Sequence, residues 1–169
     1  LSQLRRSDLQ QVDGVWTIQV NRDDEKRTKT PQSVRSIPVH NELIRMGLLR
    51  YAETRPEKGE AGSLFDIPTP KNADWGAKAG NWFREKFLPS VFTDGKRPGT
   101  GAHSFRHNVE TAMRAAGVRA DIGNRMMGHK GADVASGYGR YEPETTKEAL
   151  MHLRFPEAVK LIPARYPNA

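Results

Sequence analysis

Two short stretches in which hydrophobic and polar residues alternate predict a pair of β-strands in the first quarter of the chain. Residues 15–20 (VWTIQV) alternate with a period of two, and residues 34–39 (VRSIPV) form a second strand whose Pro38 places that end at a sheet edge. The polar, cationic stretch between them, NRDDEKRTKTPQS, indicates an exposed hairpin. Residues 1–9 (LSQLRRSDL) are expected to be the end of a helix.

Five later segments are predicted to be helices from their apolar positions and their capping and stop residues, namely 41–54, 76–88, 103–116, 119–127 and 143–155. Asn41 is expected to cap the first of them, and Gly117 and Gly128 to end the third and fourth. In the second helix, Trp82, Phe83 and Phe87 are expected to be core residues. The pattern predicts the α+β class, mostly α-helical with a small antiparallel β-sheet.

The 169 residues fit a single domain, 1–169, with a proline-containing tail at 155–169. Cysteine is absent, which excludes disulfide scaffolds, thiol catalysis and cysteine-based zinc sites. No window approaches 18 consecutive apolar residues, so no membrane-spanning segment is expected. Together these features favour a cytoplasmic location.

The positive charge is concentrated in the middle of the chain. The net charge is +7, and residues 61–130 carry +5 of it, against +2 for residues 1–60 and zero for residues 131–169. A polyanion is the natural partner for such a segment, because neutralising phosphates releases counterions. Charge alone identifies a class of partner and no reaction.

One short motif places two candidate site residues on the same side of a predicted helix. His103 and Arg106 are three residues apart in H-S-F-R, in the first turn, where free backbone N–H groups already favour an anion. The guanidinium of Arg106 suits two phosphate oxygens. The alternative for Arg106 is an ion pair with Glu110 in the next turn.

Two further residues belong with this motif. His129 follows the helix-ending Gly128, and Tyr138 comes nine residues later. Taken singly, such a histidine is a helix cap or a surface residue, and such a tyrosine is packing. Taken together with H-x-x-R, they suggest a phenol that attacks a phosphodiester, provided that nearby cations or a base activate it.

The order H-x-x-R, about 20 residues, G-H and then Y resembles the tyrosine recombinase (phage integrase) family. The stretch from Gly101 to Tyr141 carries this resemblance most specifically. Two earlier stretches agree with it: L-R-R-S-D-L at 4–9 is similar to the family's L-x-x-x-D motif, and T-K-T at 28–30 followed by R-S-I-P-V at 35–39 is similar to its K-T and R-x-[IV]-P hairpin. The resemblance implies a tyrosine recombinase catalytic-domain-like fold.

The resemblance also implies roles for individual residues. Tyr138 is the expected nucleophile, which forms a 3′-phosphotyrosyl link, and Tyr141 is the alternative one. Arg106 and His129 are expected to hold the non-bridging phosphate oxygens. His103 is expected to assist proton movement at the phenol and the phosphate. Lys29 is expected to protonate the leaving 5′-oxygen. The expected contacts to the DNA backbone are Arg5, Arg6, Lys130 and Arg140.

The implied partner is duplex DNA, bound by a homotetramer of the full-length protein on synapsed sites, with accessory DNA-bending proteins as possible helpers. No cofactor or metal is expected, since the phosphotyrosyl bond keeps the energy for religation. The family's first arginine, in a G-x-R-x-x-E pattern, has no counterpart before Leu4. The chain is therefore expected to be truncated at its N-terminus and impaired in cleavage.

Two other classes of function remain as alternatives. Residues 115–122, between two predicted helices, resemble the turn of a helix-turn-helix, which would make the chain a non-catalytic DNA-binding module. His103 and His107 are four residues apart on one helix face, which is the spacing of a metal-binding pair. The sequence shows neither H-E-x-x-H around them nor an evident third ligand.

Overall fold

A computed structural model describes residues 2–23, 26, 28, 33–56, 63–65, 76–92, 100–129, 143–154 and 157–164. Within these residues the protein is a mixed α and β structure with a small antiparallel sheet. The sheet has the order β1 (Leu9–Val12), β2 (Val15–Val20) and β3 (Arg35–Pro38). The two predicted strands are confirmed, and Pro38 lies opposite Thr17 on β3, an edge strand of the described sheet.

The prediction that residues 1–9 end a helix is wrong. The segment holds a single 3₁₀ turn, Arg6–Asp8, and then enters β1. The cause is a tight hairpin turn at Asp13 and Gly14, whose φ angles of 48° and 79° are both positive, as a type I′ turn requires. This turn brings Val12 opposite Val15 and so pairs β1 with β2 along its whole length.

The helix predicted at 41–54 forms as two short helices, α1 (Asn41–Arg45) and α2 (Leu48–Glu53). They are separated at Gly47, whose φ of 89° cannot continue a right-handed helix. The residue that caps α1 is His40 and not Asn41, which is the first helical residue.

The helix predicted at 76–88 extends further than expected and changes its winding. It runs as α3 (Ala77–Trp82), a π-helical turn at Phe83–Phe87 and α4 (Leu88–Val91). The expectation that its aromatic residues form the core is not met, because Trp82 is 59% exposed and Phe87 37% exposed. These rings contact one another instead, with centroids 5.8 Å apart.

The remaining helices are α5 (Ala102–Ala115), α6 (Ala120–Met127), α7 (Pro143–Met151) and α8 (Glu157–Lys160). The bounds of α5 and α6 confirm the predicted segments to within one residue. Helix α7 ends earlier than predicted, and α8 is a short helix that the pattern did not indicate.

The best-packed core lies between the last three long helices. It is built from buried side chains of α5, α6 and α7 and of the residue after them: Met113, Ile122, Met126, Ala149, Leu150 and Leu153. Helix α6 also contacts β3, and α7 contacts both β2 and β3. The sheet therefore rests against α7 and against α6, whose C-terminal end is part of the candidate site. Across the described ranges, no helix has the length and apolar character needed to cross a bilayer.

Candidate active site

The first turns of α5 carry two of the predicted site residues. Gly101 precedes the helix, and its N–H donates to the Ser104 hydroxyl oxygen at 3.1 Å, which fixes the helix start as one half of a capping box does. His103 is exposed in the first turn, and Arg106 is half-buried one turn later on the same side. The beginning of α5 thus presents an imidazole and a guanidinium in succession.

The C-terminal end of α6 positions the third residue, His129. Gly128 has a φ of 68°, and its N–H donates to the Arg125 carbonyl at 3.0 Å. The His129 N–H donates to the Asn124 carbonyl at 2.8 Å. These two bonds are those of a Schellman motif, in which glycine accepts the left-handed conformation that ends the helix. The backbone of His129 is therefore fixed to α6.

Arg106 connects the two helices. Its Nη2 donates to the carbonyl oxygen of Met127, which lies 21 positions later in the chain. Carbonyls in the last turn of a helix have no partner within the helix and carry partial negative charge, so a guanidinium is a favourable donor to them. The alternative of an ion pair with Glu110 is therefore not the contact that orients Arg106. The hydrogen bond places the Arg106 guanidinium at Met127, which precedes His129 by two positions in the chain.

Glu110, one turn after Arg106 on α5, gathers several basic groups. Its Oε1 lies 3.6 Å from His129 Nδ1 and 3.6 Å from Arg114 Nη2, and its Oε2 lies 3.9 Å from His107 Nδ1. His129 is 37% exposed in this arrangement. Glu110 therefore places a carboxylate on the Nδ1 side of the His129 ring.

Sequence reasoning missed Arg35 on β3 as a site residue. Its Nε donates to the Met126 carbonyl at 2.9 Å, and its Nη1 donates to the Ser33 carbonyl at 2.6 Å. Burial, followed by the charge of the nearby Arg106, lowers the pKa of Arg35. The R-S-I-P-V motif contained this residue, but the motif gave no sign that β3 reaches the end of α6.

Several predicted residues lie outside the described residues. They are the general acid, both candidate nucleophiles and two of the DNA-backbone contacts: Lys29, Tyr138, Tyr141, Lys130 and Arg140. Their roles stay predictions from the sequence. The described part of the candidate site therefore consists of His103, Arg106 and His129 and of the residues that position them.

The two arginines near the start of the chain contribute to the fold. Arg6 Nη1 donates to the Arg55 carbonyl at 3.0 Å and to the Glu53 carbonyl at 3.5 Å. Arg5 pairs through its backbone with Ser63. These contacts join the 3₁₀ turn to the end of α2 and the following loop. The contacts of Arg5 and Arg6 with a DNA backbone stay predictions.

The histidine pair on α5 is a contact between two exposed rings. The centroids of His103 and His107 are 5.1 Å apart, and the rings meet edge to face. In the described part of the chain, no group of three or more His, Asp or Glu side chains is arranged to hold one metal ion.

The helix-turn-helix alternative has a matching feature, since α5 and α6 follow each other through Gly117, whose φ is 70°.

Comparisons of the chain with protein-family models, with curated proteins and with solved structures found no match. Two guanidinium groups and an imidazole meet near one helix end, and two of these three groups are half-buried. Donors of this kind stabilise charge on an oxyanion more strongly than they would in water.

Proposed function

We propose that this chain is the catalytic domain of a tyrosine-type site-specific DNA recombinase, which breaks and rejoins duplex DNA through a 3′-phosphotyrosyl intermediate. The observation that carries the proposal is the hydrogen bond from Arg106 to the Met127 carbonyl, which places this guanidinium at the end of α6 where His129 follows. The motif order predicts that these two residues act on one phosphate. Attachment of both residues to the same helix end is what that role requires.

In the proposed reaction, the Tyr138 oxygen attacks phosphorus in line with the bond to the 5′-oxygen. The bond between phosphorus and the 5′-oxygen breaks while the 3′-phosphotyrosyl bond forms. The phenol proton leaves with the help of His103, and the 5′-oxygen takes a proton from Lys29. Attack by a free 5′-hydroxyl reverses these steps and rejoins the strand.

Negative charge on the two non-bridging oxygens is greatest in the pentacoordinate transition state. Donors held in place before the reaction lower the energy of that state more than that of the bound substrate. Arg106 supplies a guanidinium, and His129 supplies a ring N–H. Because the phosphotyrosyl bond conserves the energy of the broken bond, the proposed cycle needs neither ATP nor a metal ion.

The proposal includes the setting in which this chemistry takes place. The substrate is duplex DNA in the cytoplasm, and the full-length protein acts as a homotetramer on two paired sites. The positive charge of residues 61–130 supports a polyanionic partner. The second candidate, a non-catalytic helix-turn-helix module, is supported by the α5–Gly117–α6 arrangement and by the same charge.

A trapping experiment separates the two candidates. The protein is incubated at length with a pool of nicked duplexes in which cleavage releases a short strand, so that religation cannot occur. We expect a covalent protein–DNA adduct that survives denaturing electrophoresis, with the modified residue mapped by mass spectrometry to Tyr138. Tyr138→Phe should abolish the adduct and leave the duplex Kd unchanged, because the phenol oxygen is the nucleophile and not the source of affinity.

Tyr141→Phe is the matched control, since it removes the alternative phenol three residues away. We expect this variant to keep most of the adduct. An adduct that persists in Tyr138→Phe and disappears in Tyr141→Phe would reassign the nucleophile. Duplex binding with no adduct in the unmodified protein would favour the DNA-binding module.

A further inference from the structure

The C-terminal end of α6 is held by two arginines from different parts of the chain. Arg35 on β3 donates to the Met126 carbonyl, and Arg106 on α5 donates to the adjacent Met127 carbonyl. Successive carbonyls at a helix end are the negative pole of the helix and need donors from outside it. Neither arginine can move without releasing one of these carbonyls.

The guanidinium of Arg35 also lies directly against the backbone of Gly128. A Cβ atom built on Gly128 would lie 2.8 Å from Arg35 Nη1 and 3.1 Å from Arg35 Cζ. At such distances a methyl group would force the guanidinium to shift, so glycine at position 128 lets Arg35 reach Met126 in its present position. The next residue in the chain is His129.

The same placement brings two positive charges together. Arg106 is the nearby charge that, after burial, lowers the pKa of Arg35. The two described hydrogen bonds of Arg35 go to neutral carbonyl oxygens and not to a carboxylate. Like charges brought close in a half-buried setting repel each other, and a phosphate bound beside them would relieve that repulsion.

We infer that Arg35 is a positioning residue of the proposed phosphate site, which holds the end of α6 so that Arg106 and His129 face one oxyanion. The inference rests on the proposed function and adds to it a residue outside the motif order. The guanidinium of Arg35 donates its described hydrogen bonds to backbone carbonyls. It acts on the phosphate through the groups that it positions.

The test begins with Arg35→Ala and Arg35→Lys. For Arg35→Ala, we expect the rate of covalent adduct formation on nicked duplexes to fall about 10²-fold, because a displacement of about 1 Å at a reacting group has that effect. The duplex Kd should change little. Arg35→Lys should remain as slow as Arg35→Ala, because an ammonium cannot reproduce a planar fork that bonds two carbonyls. Full rescue by lysine would show that only charge matters and would overturn the inference.

Gly128→Ala tests the contact from the opposite side, and Gly117→Ala is its matched control. Both glycines have nearly the same φ, 68° and 70°, but a Cβ at Gly117 meets nothing within 4 Å. Both variants should lose similar stability from backbone strain. Gly128→Ala should also slow adduct formation, whereas folded Gly117→Ala should cleave at the normal rate. Equal rates in the two variants would contradict the inference.

A double-mutant cycle makes the coupling quantitative. In Arg35→Ala there is no guanidinium for the added methyl group to displace, so Arg35→Ala/Gly128→Ala should cleave no more slowly than Arg35→Ala alone. Additive losses in rate would mean that the two positions act independently and would overturn the inference.

A readout without cleavage separates this inference from the proposed function. In ¹⁵N–¹H spectra of the free protein, the His129 ring and Arg106 Nε signals should shift in Arg35→Ala and in Gly128→Ala, and stay in place in Gly117→Ala. If the unmodified protein forms the adduct and Arg35→Ala forms it equally fast, the inference fails and the proposed function stands. If the unmodified protein forms no adduct at all, the proposed function fails and takes the inference with it, whatever the spectra show.

Discussion

Asp8 shows at the scale of a single residue how this small protein holds a buried charge. The side chain is 2% exposed. Its Oδ1 accepts from Lys26 Nζ and, at 3.3 Å, from Asn21 Nδ2, while its Oδ2 accepts from the Arg5 N–H at 2.8 Å. Lys26 is itself only 8% exposed. The pair therefore attaches Lys26 to the 3₁₀ turn that precedes β1.

We expect Asp8→Ala to lower the free energy of unfolding by about 3–5 kcal/mol, because it leaves the Lys26 ammonium buried without its counter-charge. Urea denaturation followed by circular dichroism measures this loss. The double variant Asp8→Ala/Lys26→Met should recover part of the lost stability. The matched control is Glu157→Ala, which breaks a pair with Lys160 on the exposed surface of α8 and should leave the midpoint unchanged. Equal effects of the two alanine substitutions would contradict the argument.

At the scale of the element, α1 depends on an unusual cap. The His40 Nδ1 accepts the Glu42 N–H at 3.0 Å, a role that an uncharged ring nitrogen can fill and a protonated one cannot. Burial lowers the pKa of His40, although the nearby Glu42 acts in the opposite direction. The start of this helix therefore depends on a neutral imidazole.

This cap makes a prediction about acid. The unfolded chain protonates His40 near its ordinary pKa of about 6.5, and the folded protein does so only at lower pH. The unfolded state then binds more protons, so the free energy of unfolding falls as the pH drops below about 6.5. Above that pH, the contribution of the His40 cap to stability is fully present. His40→Asn keeps a capping oxygen that does not titrate in this range. Its loss of stability between about pH 7.5 and about pH 5.5 should be smaller in urea titrations, and an identical loss would contradict the role of His40.

The elements also show how far local pattern could predict this fold. Helices α5 and α6 were predicted well because glycines with positive φ end them, at Gly117 and Gly128. Strand β1 was missed because four residues are too few to show a clear period, and the Asp13–Gly14 turn that forms it was not recognised. The break at Gly47 was missed because a single glycine within an apolar pattern does not by itself end a helix.

For the candidate site, the same limit separates what could be predicted from what could not. The residues of the H-x-x-R and G-H motifs could be found because their spacing is local. The role of Arg35 could not, because it depends on a contact with Met126 that spans 91 positions. Such a contact is set by the packing of β3 on α6, which no local pattern encodes.

At the scale of the whole molecule, the charge of +7 makes a prediction about salt. Binding to duplex DNA that releases counterions should weaken about tenfold or more between about 50 mM and about 200 mM KCl. Fluorescence anisotropy with labelled duplexes measures the slope of log Kd against log salt concentration. Arg106→Gln should reduce that slope by about one, because it removes the phosphate contact proposed for Arg106. A Kd that does not respond to salt would contradict a role for the phosphate backbone.

The bond from Arg35 to the end of α6 also has a consequence for the order in which the protein matures. A chain leaving the ribosome has released its sheet long before residues 120–127 emerge, and closing so long a loop is slow compared with forming a hairpin or a helix. The anchor at Met126 can therefore form only after residue 126 has left the ribosome, 91 positions after Arg35. A chain cut short before that residue would still carry the strands of the sheet but would lack the helix end that Arg35 holds.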